Sequence, residues 1–134
     1  MRGVPASSAS LSNKLLIKPG YRVAVINAPP GYAEKLRPLP EGAELLARPG
    51  RDLDAVVAFA RDAGELERIA PSAMKAVKPD GLLWVCYPKG GAKAGGTDLN
   101  RDVLWELMNR ERLVGMSLVA VDETWSAMRF RRAR

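Results

Sequence analysis

Residues 54–87 read DAVVAFARDAGELERIAPSAMKAVKPDGLLWVCY, and this stretch decides the fold class. Asp54 to Ala60 is a continuous apolar run of strand length, the pattern of a strand covered on both faces. From Asp62 to Val77, Leu66, Ile69, Ala70, Ala73 and Val77 recur at helical spacing, while Glu65, Glu67, Arg68 and Lys75 fall mostly on the other side. Pro71 lacks an amide hydrogen, so a break is expected near Ala70 with Pro71 opening a second short helix. Lys78-Pro79-Asp80-Gly81 reads as a turn, and Gly81 to Tyr87 as a second buried strand. Strand, helix and strand in that order predict a crossover unit and a parallel pair.

The pattern extends in both directions. Lys18-Pro19-Gly20 is a turn signal before Tyr21 to Ala28, another doubly apolar strand. Pro29-Pro30-Gly31 stops it, a short helix from about Tyr32 to Arg37 follows, and Gly42 to Arg48 is a weaker strand. Downstream, Asp98 is placed to cap a helix reaching about Asn109, with Leu99, Val103, Leu104, Leu107 and Met108 in one stripe. Arg112 to Val121 and Thr124 to Arg131 read as an antiparallel hairpin turning at Asp122-Glu123. The expected architecture is α/β: one Rossmann-like three-layer domain with a mainly parallel sheet of about six strands, a C-terminal antiparallel hairpin and helices on both faces. Residues 1–13 read as a flexible arm and 14–134 as the domain.

Composition narrows the chemistry. The chain has 134 residues, no histidine and one cysteine, Cys86. Imidazole-based hydrolysis, histidine-ligated metal, internal disulfides and CxxC chemistry are excluded in their usual forms. The net charge is +6, from 21 basic and 15 acidic residues; Arg129, Arg131, Arg132 and Arg134 supply four of it, leaving +2 for the rest. That basic end reads either as a solvated strand that blunts a sheet edge or as a phosphate-binding cluster, and the first reading argues against a nucleic-acid partner. No run approaches the roughly 18 apolar residues of a membrane span, and the amino end lacks a secretory pattern, so a cytoplasmic setting is expected.

In open α/β sheets, ligands bind beyond the carboxyl ends of the strands where the strand order reverses. Asn27 to Tyr32, Phe59 to Asp62 and Tyr87 to Arg101 are the segments expected there. The ligand candidates are Asn27, Gly31, Tyr32, Tyr87, Lys89, Lys93, Thr97, Asp98, Asn100 and Arg101; no catalytic residue is assigned. Gly90 to Thr97 approaches phosphate-loop spacing, but Gly96 stands where the lysine belongs. The loop is either a connector before a capped helix or, with Lys89, Lys93 and Arg101, an anion cradle. Trp84 and Cys86 read as core, Trp125 as packing at the hairpin, and Trp105 as lying outside the helical stripe.

The order of these elements, the Lys78-Pro79-Asp80-Gly81-Leu82-Leu83 turn into a strand and the closing hairpin resemble the second half of a class I, S-adenosylmethionine-dependent methyltransferase. The strings Asn27-Ala28-Pro29-Pro30-Gly31-Tyr32, Tyr87-Pro88-Lys89, Thr97-Asp98-Leu99-Asn100-Arg101-Asp102 and Thr124-Trp125-Ser126-Ala127-Met128-Arg129-Phe130 resemble a family of short bacterial proteins known as a domain of unknown function. In the methyltransferases, a glycine-rich turn follows the first strand and an acidic residue ending the second holds the ribose. Here the turn has only Gly31 after two prolines, and the second strand ends in Arg48-Pro49-Gly50. The expectation is therefore a non-enzymatic or regulatory domain without a cofactor, binding a small anionic ligand or a protein partner. The alternative is a small-group transferase, dependent on S-adenosylmethionine or another donor, acting in the same crevice.

Overall fold

A computed structural model describes residues 11–46, 50–89 and 98–132. The elements are α1 (Leu11–Lys14), β1 (Arg22–Ile26), α2 (Tyr32–Lys35), β2 (Glu44–Leu46), β3 (Leu53–Phe59), α3 (Ala63–Ala76), β4 (Val77–Pro88), α4 (Arg101–Arg110), β5 (Leu113–Ala120) and β6 (Trp125–Arg132). The arm boundary expected at Asn13 falls within α1.

The strands form one six-stranded sheet in the order β2-β1-β3-β4-β6-β5. The first four are parallel, and β6 runs antiparallel to both β4 and β5. This is the Rossmann-like architecture expected from the alternation of elements. Period-two alternation along β3 sends Val56 and Ala58 to one face and Ala55, Val57 and Phe59 to the other. On the first face Leu66, Ala70 and Ala73 of α3 and Leu104 and Met108 of α4 cover the sheet. On the second, Leu15, Ile17 and Leu36 pack over Trp84, Cys86 and Trp125. Trp84 is buried and donates its indole Nε1–H to the Leu15 carbonyl at 2.9 Å, fastening the segment after α1 to the sheet.

Three local readings change. α3 runs unbroken through Pro71. The proline lies on the exposed side of the helix, so water can take up the carbonyl one turn earlier while the apolar face stays packed. The Lys78 to Gly81 turn is an excursion within β4: Val77 pairs with Leu53 and Leu82 with Ala55, leaving four residues opposite Asp54. Asp54 closes the excursion by accepting from the Arg22 amide at 2.8 Å and from Lys78 Nζ at 2.5 Å. The hydrogen bond from Lys78 is the main influence holding this carboxyl below its ordinary value. Finally, α4 begins at Arg101, capped by Asn100, whose side chain accepts from the Val103 amide at 2.9 Å. Asp98 is not its cap.

The arginine-bearing strand is not at a sheet edge, because β6 lies between β4 and β5. Arg132 instead donates to the Met74 carbonyl at 2.8 Å, and Arg129 Nε lies 3.4 Å from Ser117 Oγ. Arg134 lies outside the described residues. Among the described residues no helix is long and apolar enough to cross a membrane.

A Cβ at Gly81 would meet Val77 Cγ2 at 2.7 Å and the carbonyl oxygens of Asp54 and Leu53 at 3.0 and 3.1 Å. Two of these neighbours are backbone and cannot rotate away. Gly81→Ala is expected to destabilise the protein by about 1–3 kcal/mol, read as a lower urea midpoint at unchanged slope.

Candidate functional site

Strand order reverses around β1, whose sequence successor β2 lies on one side while β3 lies on the other. The crevice beyond the carboxyl ends of β1 and β3 is therefore the position where this topology accepts ligands. The residue leaving β1 is Asn27, held at φ 60°, a conformation that asparagine tolerates better than most residues. Its side-chain amide donates to the Phe59 carbonyl at 2.9 Å, lacing the ends of β1 and β3 together. Gly31, at φ 84°, has nothing within 4 Å of where a Cβ would stand, so the backbone of this turn is open to close approach.

The end of β3 carries a network that sequence periodicity assigns to solvent. Glu65 is 6% exposed. Its carboxylate accepts from the Arg61 amide at 2.8 Å and from Arg61 Nη2 at 2.9 Å. The Arg61 hydrogen bond is the largest influence keeping its carboxyl below the ordinary 4.5, with the Asn27 side chain adding to it against the opposing effect of burial. Asp62 caps α3 by accepting from the Glu65 amide at 2.8 Å. Asp98 reaches the same helix end and accepts from the Ala63 amide at 2.9 Å. The D-x-x-E spacing of Asp62 and Glu65 resembles a capping box and was the available sequence signal for both. Asp98's attachment joins segments 35 residues apart and has no local signal.

Tyr87, at the end of β4, is buried. Burial is the main influence raising its phenol, opposed by the Arg101 charge and the Ser126 hydroxyl. Lys89 is tied by its amide to the Thr124 carbonyl at 2.8 Å. Arg101 Nε lies 3.7 Å from the Asp102 carboxylate.

Tyr32 turns to the opposite face of the sheet. Its ring packs edge-on against Phe59 and Trp125, with centroids 5.2 and 6.0 Å away. Its hydroxyl donates to the Asp122 carboxylate, which also pairs with Lys35 at 2.9 Å and accepts from the amides of Thr124 and Trp125 at 2.8 Å. Burial and this hydrogen bond push the Tyr32 phenol far up. Asp122 is held low: burial opposes its charge, and the donors around it prevail. Burial likewise pushes the Cys86 thiol up, leaving it without thiolate character at neutral pH.

Of the ten candidates, Asn27, Gly31, Tyr87, Asp98 and Arg101 thus lie around the strand ends. Asn100 is occupied as a helix cap, Tyr32 belongs to the aromatic cluster, and Lys89 stands beside the hairpin. Lys93 and Thr97 lie outside the described residues. Arg61, Asp62, Glu65 and Asp122 are additions.

No protein-family model matches the chain, and no curated relative matches it. Solved structures do. The DhpI complex with SAH superposes with a TM-score of 0.59 at 15% identity, over 95% of this chain and 85% of that one. The N-methyltransferase NodS from Bradyrhizobium japonicum WM9, bound to S-adenosyl-L-homocysteine, gives 0.58 at 15% identity over 92% and 86%. The Burkholderia thailandensis 1,6-didemethyltoxoflavin-N1-methyltransferase, with its substrate and S-adenosylhomocysteine, gives 0.58 at 14% identity over 96% and 79%.

At these identities the likeness establishes the fold, that of the S-adenosylmethionine-dependent methyltransferases, and three expectations are corrected. The similarity spans most of those chains rather than their second half. A non-enzymatic scaffold and the absence of a cofactor were inferred from a missing glycine-rich turn. Neither inference stands beside near-complete superposition on methyltransferases holding SAM or SAH. In the turn itself the left-handed positions are Asn27 and Gly31, one of them held without glycine.

Because the Glu65 carboxyl is lowered in the folded state, its contribution is complete above the unfolded value near 4.5 and is lost as pH falls through the folded value. Glu65→Gln is expected to cost about 1–3 kcal/mol at neutral pH. It should also flatten the part of the acid stability curve below pH 4.5, measured by denaturant melts across pH.

Proposed function

We propose that this protein is an S-adenosylmethionine-dependent transferase of the methyltransferase type, acting on a small substrate at the carboxyl ends of β1, β3 and β4. The observation that carries the reading is the coincidence of the methyltransferase fold with an open, left-handed turn at Gly31 in the position where strand order reverses. The donor set also suits such a ligand. Asp98 and Asp62 offer carboxylate acceptors for hydroxyl or ammonium groups, Arg61 and Arg101 offer partners for a carboxylate, and the Gly31 backbone allows close approach. A bound S-adenosylmethionine supplies an electrophilic methyl group. The chain's own part is to orient the acceptor and exclude water, with the Tyr87 hydroxyl at the buried wall of the crevice. Tyr87 keeps its proton at neutral pH and serves as a hydrogen-bond donor. Asn27 and Glu65 hold the strand ends and the start of α3 at fixed separation, so they act as positioning residues.

Calorimetric titration with S-adenosylmethionine and S-adenosylhomocysteine should give micromolar dissociation constants. Asp98→Ala is expected to weaken binding at least about tenfold, a loss of roughly 1.4 kcal/mol, with the melting temperature lowered by a few degrees through the lost hydrogen bond to the Ala63 amide. Absence of binding by either ligand at millimolar concentration would refute the proposal.

A further inference from the structure

We propose that the face of the β5–β6 hairpin on the α1 side of the sheet binds the phosphate backbone of duplex nucleic acid, without regard to base sequence. None of its residues belongs to the crevice, so this surface and the transferase site are independent of each other.

Period-two alternation along β6 sends Trp125, Ala127, Arg129 and Arg131 to the α1 side, where Trp125 and Ala127 join the core under Leu15 and Ile17. Met128 and Phe130 take the other face, and Arg132 follows them to the Met74 carbonyl. Along β5 the cover over the α1 side stops, and Met116 and Ser117 are exposed. Both arginines of this side reach across to β5: Arg129 Nε lies 3.4 Å from Ser117 Oγ, and Arg131 Nε 3.1 Å from Met116 Sδ. Lys14, at the end of α1, comes within 3.5 Å of the Ala120 carbonyl. Arg112 stands immediately before β5. The four cations therefore follow β5 from one end to the other, a distance of about 25 Å at the ordinary rise of a strand.

This charge is not answered within the protein. Among the described residues, Lys14, Arg112, Arg129 and Arg131 form no ion pair with a carboxylate. β5 itself carries no charged residue, and the acidic residues nearest in sequence stand at its two ends: Glu111 before Arg112, and Asp122 and Glu123 in the hairpin turn. Asp122 is taken up by Tyr32 and Lys35. Arg129 and Arg131 are about 7 Å apart along β6, within the Debye length of about 8 Å at physiological salt, so their repulsion is only partly screened. Their contacts are to neutral acceptors, Ser117, Met116 and the Arg132 carbonyl, which leave most of the five donors of each guanidinium open. Protection of a sheet edge does not account for these arginines, because β6 lies inside the sheet. A row of unanswered cations on an open sheet face is complementary to an anion from outside.

The layout selects that anion. A lone phosphate or carboxylate is held by groups that converge on one point, whereas these cations are strung along a strand and match a repeating charge. Three of the four are arginines, whose planar fork fits phosphate oxygens. Duplex nucleic acid presents one negative charge per about 1.7 Å of its axis. A single strand calls for aromatic platforms under its unpaired bases, and the exposed Trp105 lies on the other face, over Gly115 and beside Met128. Anchoring on an anionic bilayer calls for an apolar helix face beside the basic patch, and here the arginines stand on flat strands.

Fluorescence anisotropy of a labelled duplex of about 20 base pairs, titrated with the full chain at about 50 mM salt, should give a dissociation constant of about 1–100 µM. Engagement of four phosphates sets the slope of log affinity against log salt at about −3.6. The double variant Arg129→Gln with Arg131→Gln should weaken binding at least about tenfold and halve the slope to about −1.8, with circular dichroism unchanged. Arg68→Gln with Lys75→Gln removes the same charge from the exposed side of α3, and should leave the slope as it was. Absence of duplex binding at about 100 µM protein overturns the proposal. So does an equal loss in the two double variants, or binding to phosphatidylserine vesicles without binding to the duplex.

Discussion

Burial of β3 on both faces is the constraint from which the rest of the architecture follows. Leu53 and Ala55 to Phe59 are all removed from solvent, and a strand with no wet face requires cover from both sides. On one side that cover is regular, supplied by the apolar faces of α3 and α4. On the other it comes from short pieces, the segment around Leu15 and Ile17 and the α2 region with Leu36. Such pieces bury little area each, so they depend on fixed attachments. The Trp84 bond to the Leu15 carbonyl and the Tyr32–Asp122–Lys35 group are those attachments.

The same asymmetry shapes the crevice. Its helical side holds carboxylates at the start of α3, where the helix dipole and the Arg61 guanidinium favour negative charge. On the opposite face of the sheet the rings of Tyr32, Phe59 and Trp125 pack edge-on against one another. The fold of a methyltransferase is retained although the turn after β1 carries two prolines and a single glycine, with Asn27 and Gly31 in the left-handed region.

Much of this organisation was legible in the residues. The three central strands announced themselves as apolar runs between turn signals, and the alternation of strands with helical periods led to the parallel sheet. Readings failed where a distant partner outweighed a local rule. Glu65 looked solvated by helical period, yet the first turn of α3 abuts the end of β1 and draws it into Arg61 and Asn27. Asp98 looked like a cap for the helix that follows it, but the amide it satisfies lies in the other helix. Pro71 looked like a helix breaker, and it is tolerated because its side of α3 faces water. Strand order carries no local signature at all, so the arginines of β6 were placed at an edge that belongs to β5.

The three tryptophans occupy three different environments. Trp84 is hydrogen-bonded within the core, Trp125 sits in the aromatic cluster beside the crevice, and Trp105 lies half exposed over Gly115. Indole emission shifts to the red with exposure to water, so the chain carries its own set of spectroscopic labels. Single-tryptophan variants divide its fluorescence into a signal from the interior, one from the aromatic cluster and one from the outer edge. Changes in the interior, in the aromatic cluster and at the outer edge then become separable by light, with no foreign dye attached.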